Sequence, residues 1–264
     1  MIPKVRRAKT RKMITLEVRA NTAPSPAFRT ITLGGPELAA FEPAGDDQAV
    51  RLFFPRAGQD RLRMPTLDHE GWMAEVLMMP KSRRPWVRNY TIRRSRPGEI
   101  DIEFALHDGD APAAEWARRA RPGDPAGVFD LGVSYLPPDE TDWQLLAADE
   151  SALPAVLAIL EGAPTDLAAE VFLEVPAKSD IRAVEAPRGV RVHWLPRLRA
   201  GRPGTLALQA VREADLPPGR AYAWVAGEAK LATGLRRHLV QDRGWPRSDI
   251  AFLGYWRHGR ASPG

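Results

Sequence analysis

Residues 12–134 alternate between apolar and polar positions in short runs. Lys12–Ala20, Ala27–Leu33, Ala49–Phe54, Arg88–Arg94 and Glu99–Leu106 each show the two-residue period, or the brief apolar stretch, of a β-strand. Clusters of Pro, Gly and Asp separate them, and Val128-Phe129-Asp130 predicts one further short strand. A single helix is predicted in this half, over Pro112–Arg121. It has Pro at its start, Glu115 in its first turn and Arg118, Arg119 and Arg121 at its end, in agreement with the helix dipole. Many short strands with few helices predict a barrel or sandwich.

After Pro137-Pro138 the rhythm changes. Short apolar runs at Trp143–Ala148, Glu170–Val175, Val190–Leu195, Ala221–Ala226 and Ile250–Tyr255 predict buried strands. Helical patterns lie between several of them, at Leu153–Glu161, Gly204–Ala214 and Ala229–Asp242, while Pro176–Gly189 is less clearly helical. Strands alternating with helices predict a parallel sheet covered on its faces. The expected organisation is therefore a β-barrel over residues 1–137, with a basic N-terminal arm, followed by an α/β domain over 138–264.

Composition narrows the chemistry. The chain has 264 residues, 44% of them hydrophobic and 27% charged, as in a soluble globular protein. It contains no cysteine, which excludes disulfides, thiolate nucleophiles, cysteine-ligated zinc and iron–sulfur clusters. Redox chemistry would have to come from an organic cofactor. The net charge of +5 is confined to the arm. Lys4, Arg6, Arg7, Lys9, Arg11 and Lys12 stand there without an acid, and the remaining body carries 32 basic and 33 acidic residues. That distribution predicts a solvated tail and no nucleic-acid partner. No run approaches the roughly 18 apolar residues of a membrane span. With no apolar signal segment either, the expectation is a cytoplasmic protein, read as a monomer.

Several places hold candidate chemistry. In Arg88-Asn89-Tyr90-Thr91, strand alternation puts Arg88 and Tyr90 on one face, while Thr91 points the other way or bends inward at the strand's end. A cation beside a flat ring suits a ligand that joins phosphate to a planar heterocycle, such as a flavin nucleotide, although an isolated R-x-Y-T is by itself an ordinary strand. His107 ends the next strand, just before the Pro112 helix, whose N-terminal N–H groups form an anion site. Asp149-Glu150-Ser151 follows the first parallel strand, where α/β sheets place ligands; it lacks a glycine-rich phosphate loop, and the two acids are candidate caps for the next helix. At the end of the last strand, Trp256 and Arg257 offer an aromatic and a cation for a large anionic ligand. Lys230 and Arg236, on the helix after Ala226-Gly227-Glu228, suit a nicotinamide phosphate or an anionic substrate, and equally a solvated helix face. The five histidines are scattered singly, which disfavours a hydrolase or metalloenzyme.

Taken in order along the chain, a set of segments resembles the siderophore-interacting proteins, the ferric-siderophore reductase branch of the ferredoxin–NADP reductase-like flavoproteins. They are Arg88-Asn89-Tyr90-Thr91, Asp101-Ile102-Glu103-Phe104-Ala105-Leu106-His107, Ala113-Ala114-Glu115-Trp116-Ala117, Arg121-Pro122-Gly123-Asp124, Asp149-Glu150-Ser151-Ala152-Leu153-Pro154-Ala155, Leu173-Glu174-Val175-Pro176, Trp224-Val225-Ala226-Gly227-Glu228 and Gly254-Tyr255-Trp256-Arg257. The resemblance implies an antiparallel FAD-binding barrel followed by an NAD(P)-binding-like reductase domain. It implies that Arg88 contacts the FAD phosphates, Tyr90 packs on the isoalloxazine and Thr91 bonds near its reactive edge. His107 and the backbone of Ala113 and Ala114 would line the pyrophosphate and adenosine. A ferric siderophore is the implied substrate and NADH, NADPH or ferredoxin the implied electron donor; the flavin carries the chemistry and no catalytic side chain is assigned.

One departure from the family pattern stands out. Ala111-Pro112-Ala113-Ala114 replaces a usual Gly-Pro-Ala-Ser. The family's Ser hydroxyl is a phosphate donor, and a neutral hydrogen bond is worth roughly 0.5–1.5 kcal/mol, or about tenfold in affinity. Two alternatives therefore remain open at this point: a flavin reductase or electron-transfer flavoprotein with another acceptor, and a siderophore-binding protein with weakened flavin binding.

Overall fold

A computed structural model describes residues 5–7, 11–106, 111–197 and 201–259. The chain divides into two compact units, Arg6–Val133 and a second that begins at Ser134.

The first unit is a closed barrel of six antiparallel strands. In chain order these are β1 (Met13–Thr22), β2 (Phe28–Gly34), β3 (Ala49–Phe54), β4 (Trp86–Arg96), β5 (Glu99–Ala105) and β6 (Pro125–Gly132), arranged β1-β2-β5-β4-β3-β6. Strand alternation turns Ile31, Leu33, Leu52, Phe54, Ile100, Ile102 and Phe104 inward, where they are fully buried. Helix α2 (Pro112–Arg119) packs on this core through Trp116, whose ring lies 5.2 Å from Phe54 and 5.7 Å from Phe104.

The unit holds a second α-helix that the sequence pattern did not predict, α1 (Trp72–Met78). It covers the outer side of the barrel, where Trp72 and Val76 meet Phe53, Val87 and Phe129, with Trp72 edge-on to Phe53 at 5.4 Å. At seven residues, bounded by Gly71 and Pro80, it is too short to display a helical period.

The second unit is a five-stranded, wholly parallel sheet: β7 (Trp143–Ala148), β8 (Ala168–Val175), β9 (Gly189–Pro196), β10 (Ala221–Glu228) and β11 (Ile250–Trp256), in the order β11-β10-β7-β8-β9. Helices α3 (Leu153–Glu161), α4 (Thr205–Glu213) and α5 (Ala229–Gln241) are its crossovers, and α4 and α5 share one apolar layer against the sheet. The β8–β9 link contains only a 3-10 turn at Lys178–Asp180. Every residue of β7 and β10 is buried, as expected of central strands in a parallel sheet. Strand order reverses between them, which makes their carboxyl ends the sheet's switch point. Among the described residues, no helix is long and apolar enough to cross a membrane.

Candidate functional site

On the barrel, β3 and β4 pair so that Val50, Leu52 and Phe54 stand opposite Tyr90, Arg88 and Trp86. This register puts Trp86, Arg88 and Tyr90 on the core side and turns Thr91 outward, as strand alternation predicts. Tyr90 is half-buried with its ring 4.3 Å from Phe104, and burial pushes its phenol far above the ordinary value, so it is neutral. Through Phe104 and Trp116 it is linked to α2.

Arg88 is half-buried, donates to the Val87 carbonyl at 2.7 Å and lies 5.2 Å from the Trp86 ring centre. The opening of β4 also holds a residue that sequence reasoning missed. Arg56, just past β3, stacks on Trp86 at 3.8 Å, and its neighbours Arg84 and Arg88 add to burial in lowering its pKa. Neither Arg56 nor Arg88 has a carboxylate partner among the described residues. Only the β3–β4 register brings Arg56 to Trp86, and no local motif announces it.

The start of α2 complements these cations. Ala111 precedes it in an ordinary extended conformation, with φ −85°, so this turn asks for no glycine, and no side chain caps the helix. Pro112 has no N–H to satisfy. The N–H groups of Ala113 and Ala114, both buried residues, have no acceptor among the described residues. Orphan donors at a helix start, together with unpaired guanidiniums on the same core face, fit a phosphate-bearing, ring-bearing cofactor. Thr91 is buried, and its hydroxyl has no partner among the described residues. His107 lies outside them.

The carboxyl edge of the parallel sheet has the opposite character. Asp149 follows β7 and is fully buried. One of its oxygens accepts from the Ser151 N–H at 2.9 Å and the Ser151 hydroxyl at 2.6 Å; the other accepts from the Glu228 N–H at 2.6 Å and Trp256 Nε1–H at 3.1 Å. Asp149 thus closes the turn before α3 without capping the helix, whose N-cap is Ala152 with no side-chain cap hydrogen bond, and it also ties together the ends of β7, β10 and β11. Burial, then Glu150, pushes its pKa up to about 7 against the pull of those donors. Gly227 passes over it at φ +134°, and a Cβ there would fall 2.6 Å from the carboxyl carbon.

Glu150 does not cap α3. It forms a two-pronged pair with Arg197 at 2.6 and 2.7 Å, and Arg197 reaches Glu174 at 2.7 Å. Glu174 also accepts from the N–H groups of Gly204 and Ala207, filling the N-terminus of α4. The Glu228 carboxylate accepts from Lys230 N–H at 2.5 Å and fills the N-terminus of α5. Around this edge the Lys230 and Arg257 side chains are exposed. Arg236 does not join them. Six residues along α5 from Lys230, it sits about 9 Å further along the axis and roughly 120° around it.

Comparison with known proteins agrees with both units. The model of the siderophore-interacting FAD-binding domain matches residues 17–134, and that of the siderophore-interacting protein matches residues 141–259. The chain is 30% identical to the ferric vibriobactin reductase ViuB of Vibrio cholerae, over 87% of this chain and 84% of that protein. It is 29% identical to the NADPH-dependent ferric-chelate reductase of Escherichia coli, covering 88% of each. Among solved structures, a siderophore utilization protein from T. fusca superposes with a TM-score of 0.83 at 30% identity, over 99% of this chain and 98% of that one.

Proposed function

The chain belongs to the siderophore-interacting protein family, and from that premise we propose that it reduces ferric siderophores in the cytoplasm, with FAD as its cofactor, and so releases Fe(II). The observation that carries this reading is the barrel's unmet demand for an anion: Arg56 and Arg88 on Trp86, with the free N–H groups of Ala113 and Ala114. Arg88 and the α2 N-terminus hold the FAD phosphates. Tyr90, neutral and braced by Phe104, offers its ring to the isoalloxazine, and Thr91 supplies a hydroxyl near its reactive edge. Bound FAD would supply electron exchange between the donor, a two-electron nicotinamide or a one-electron ferredoxin, and a one-electron acceptor.

The substrate's chemistry fits this assignment. Hydroxamate and catecholate oxygens hold hard Fe(III) far better than Fe(II), so adding one electron to the metal loosens it from its chelator. Lys230, Trp256 and Arg257, at the carboxyl edge of the sheet, would meet the anionic ligand. Electrons come from NADH, NADPH or ferredoxin, and the name of the Escherichia coli relative favours NADPH among these.

FAD-reconstituted protein should keep a flavin absorption spectrum through gel filtration, and anaerobic bleaching with NADH against NADPH ranks the donors. Stopped-flow mixing of the reduced protein with ferric hydroxamates, ferric catecholates and ferric citrate then tests the acceptor. A rate on ferric citrate equal to that on every siderophore would replace this reading with a general flavin reductase.

A further inference from the structure

A second cationic site lies on α5 and β11, and it is independent of the redox reading. A cavity of about 220 Å³ opens between the later half of α5 and the first half of β11. Arg236, Arg237 and Gln241 line it from the helix, with Arg247 and Phe252 opposite, and no carboxylate borders it. The Arg236 guanidinium lies 4.7 Å over the Phe252 ring, and its Nε–H is buried without an acceptor. None of the three arginines has an ion pair among the described residues.

Four other arginines of this unit have partners. Arg197 pairs with Glu150 and Glu174, Arg220 with Glu140 and Asp249, Arg191 with Glu170, and Arg243 donates to three carbonyls. Three guanidiniums without a carboxylate partner, Arg236 half-buried and Arg237 and Arg247 exposed, border one cavity and form a concentration of positive charge that an oxyanion complements. The cavity is also remote from Asp149 and Trp256. Helix α5 leaves the carboxyl edge at Ala229 and runs back along the sheet, so Arg236–Gln241 lie toward the amino ends of the strands.

We propose that this cavity binds a phosphoryl group, gripped by the guanidiniums of Arg236, Arg237 and Arg247. Guanidinium forks match phosphate oxygens in a way that single-point ammonium groups do not. Ligand pockets for drug-sized molecules run to roughly 300–1,000 Å³, so this smaller space suits one or two phosphoryl groups and excludes a ferric siderophore. The phosphoryl group is either free, as phosphate or pyrophosphate, or part of a nucleotide.

The test is calorimetric titration of the FAD-loaded protein, whose barrel is then filled, with inorganic pyrophosphate and with adenosine 2′,5′-bisphosphate at low salt. Wild type should bind at least one of them. Arg247→Ala, Arg237→Ala and Arg236→Met, the last keeping an apolar stem on Phe252, should each weaken binding about tenfold. Arg61→Ala, which removes an exposed charge elsewhere, should leave it unchanged. Tighter binding of the bisphosphate identifies a nucleotide as the source; equal or tighter binding of pyrophosphate identifies the free anion. The proposal is overturned if wild type binds neither, if the cavity variants bind like wild type while melting normally, or if Arg61→Ala weakens binding as much as they do.

Discussion

In the barrel, Arg56 and Arg88 lie over Trp86 with Arg84 beside them, and no carboxylate partners them among the described residues. At the carboxyl edge of the parallel sheet, Asp149, Glu150, Glu174 and Glu228 are all buried and gather around one guanidinium, Arg197, and a ring of N–H donors. The first region has cations that donate to backbone carbonyls but lack a counter-charge; the second has carboxylates supplied with donors from within. A site awaiting an anionic ligand differs in this way from an anchor that is already complete. The helix N-termini that receive phosphate in many doubly wound sheets are filled here by Glu174 and Glu228.

The contrast is most easily broken at its centre. Arg197→Met would leave Glu150 and Glu174 buried without their cation, and loss of one partner of a buried pair costs about 3–5 kcal/mol. Urea unfolding of the α/β unit should show that loss, whereas a change below about 1 kcal/mol would mean that the backbone donors suffice.

Asp149 gives the next effect, through pH. Its folded pKa of about 7 lies above its ordinary 3.8, so its burial favours the protonated form. The stability it contributes is present at low pH and is lost as pH rises from about 4 through 7, by on the order of 4 kcal/mol at most. Asp149→Asn should flatten that slope in denaturation curves taken across this range; an unchanged slope would assign the pH dependence elsewhere.

In the barrel the effects fall on the ligand. Arg88→Ala should weaken FAD by about 10- to 150-fold, the roughly 1.5–3 kcal/mol of a charge-assisted hydrogen bond, as read by flavin fluorescence during dialysis. Full flavin occupancy in that variant would refute the role. Arg56→Gln removes a stacked cation worth about 0.5–1 kcal/mol at an accessible site, so a two- to fivefold loss is expected in the same assay.

Most of the fold was legible because its signals are local. Alternation in β1 to β5 and the apolar runs of β7 and β10 gave barrel and sheet, and Pro112 with Glu115 marked the start of α2. Arg88 and Tyr90 could be placed on one face from strand period alone. What stayed hidden depends on register or on distance along the chain. Arg56 meets Trp86 across 30 positions, and Glu174 meets the start of α4 over the same separation. Glu150 read as a cap because capping is local, while its true partner, Arg197, lies 47 residues away. Lys230 and Arg236 looked like one cationic face, yet the helical turn separates them.

Helix α1 has a consequence for how this protein ages. With no thiol in the chain, oxidants that attack sulfur meet thioethers alone. Met78 projects from α1 at 83% exposure, while its neighbour Met79 is buried beside Trp72 and Phe53. Of this pair, Met78 is therefore the first to form a sulfoxide, and there the polar oxygen faces water. The same change at Met79 would set that oxygen among aromatic rings and loosen α1 from the barrel. Two adjacent methionines thus separate harmless wear from damage, and peptide mapping after peroxide treatment would record them in that order.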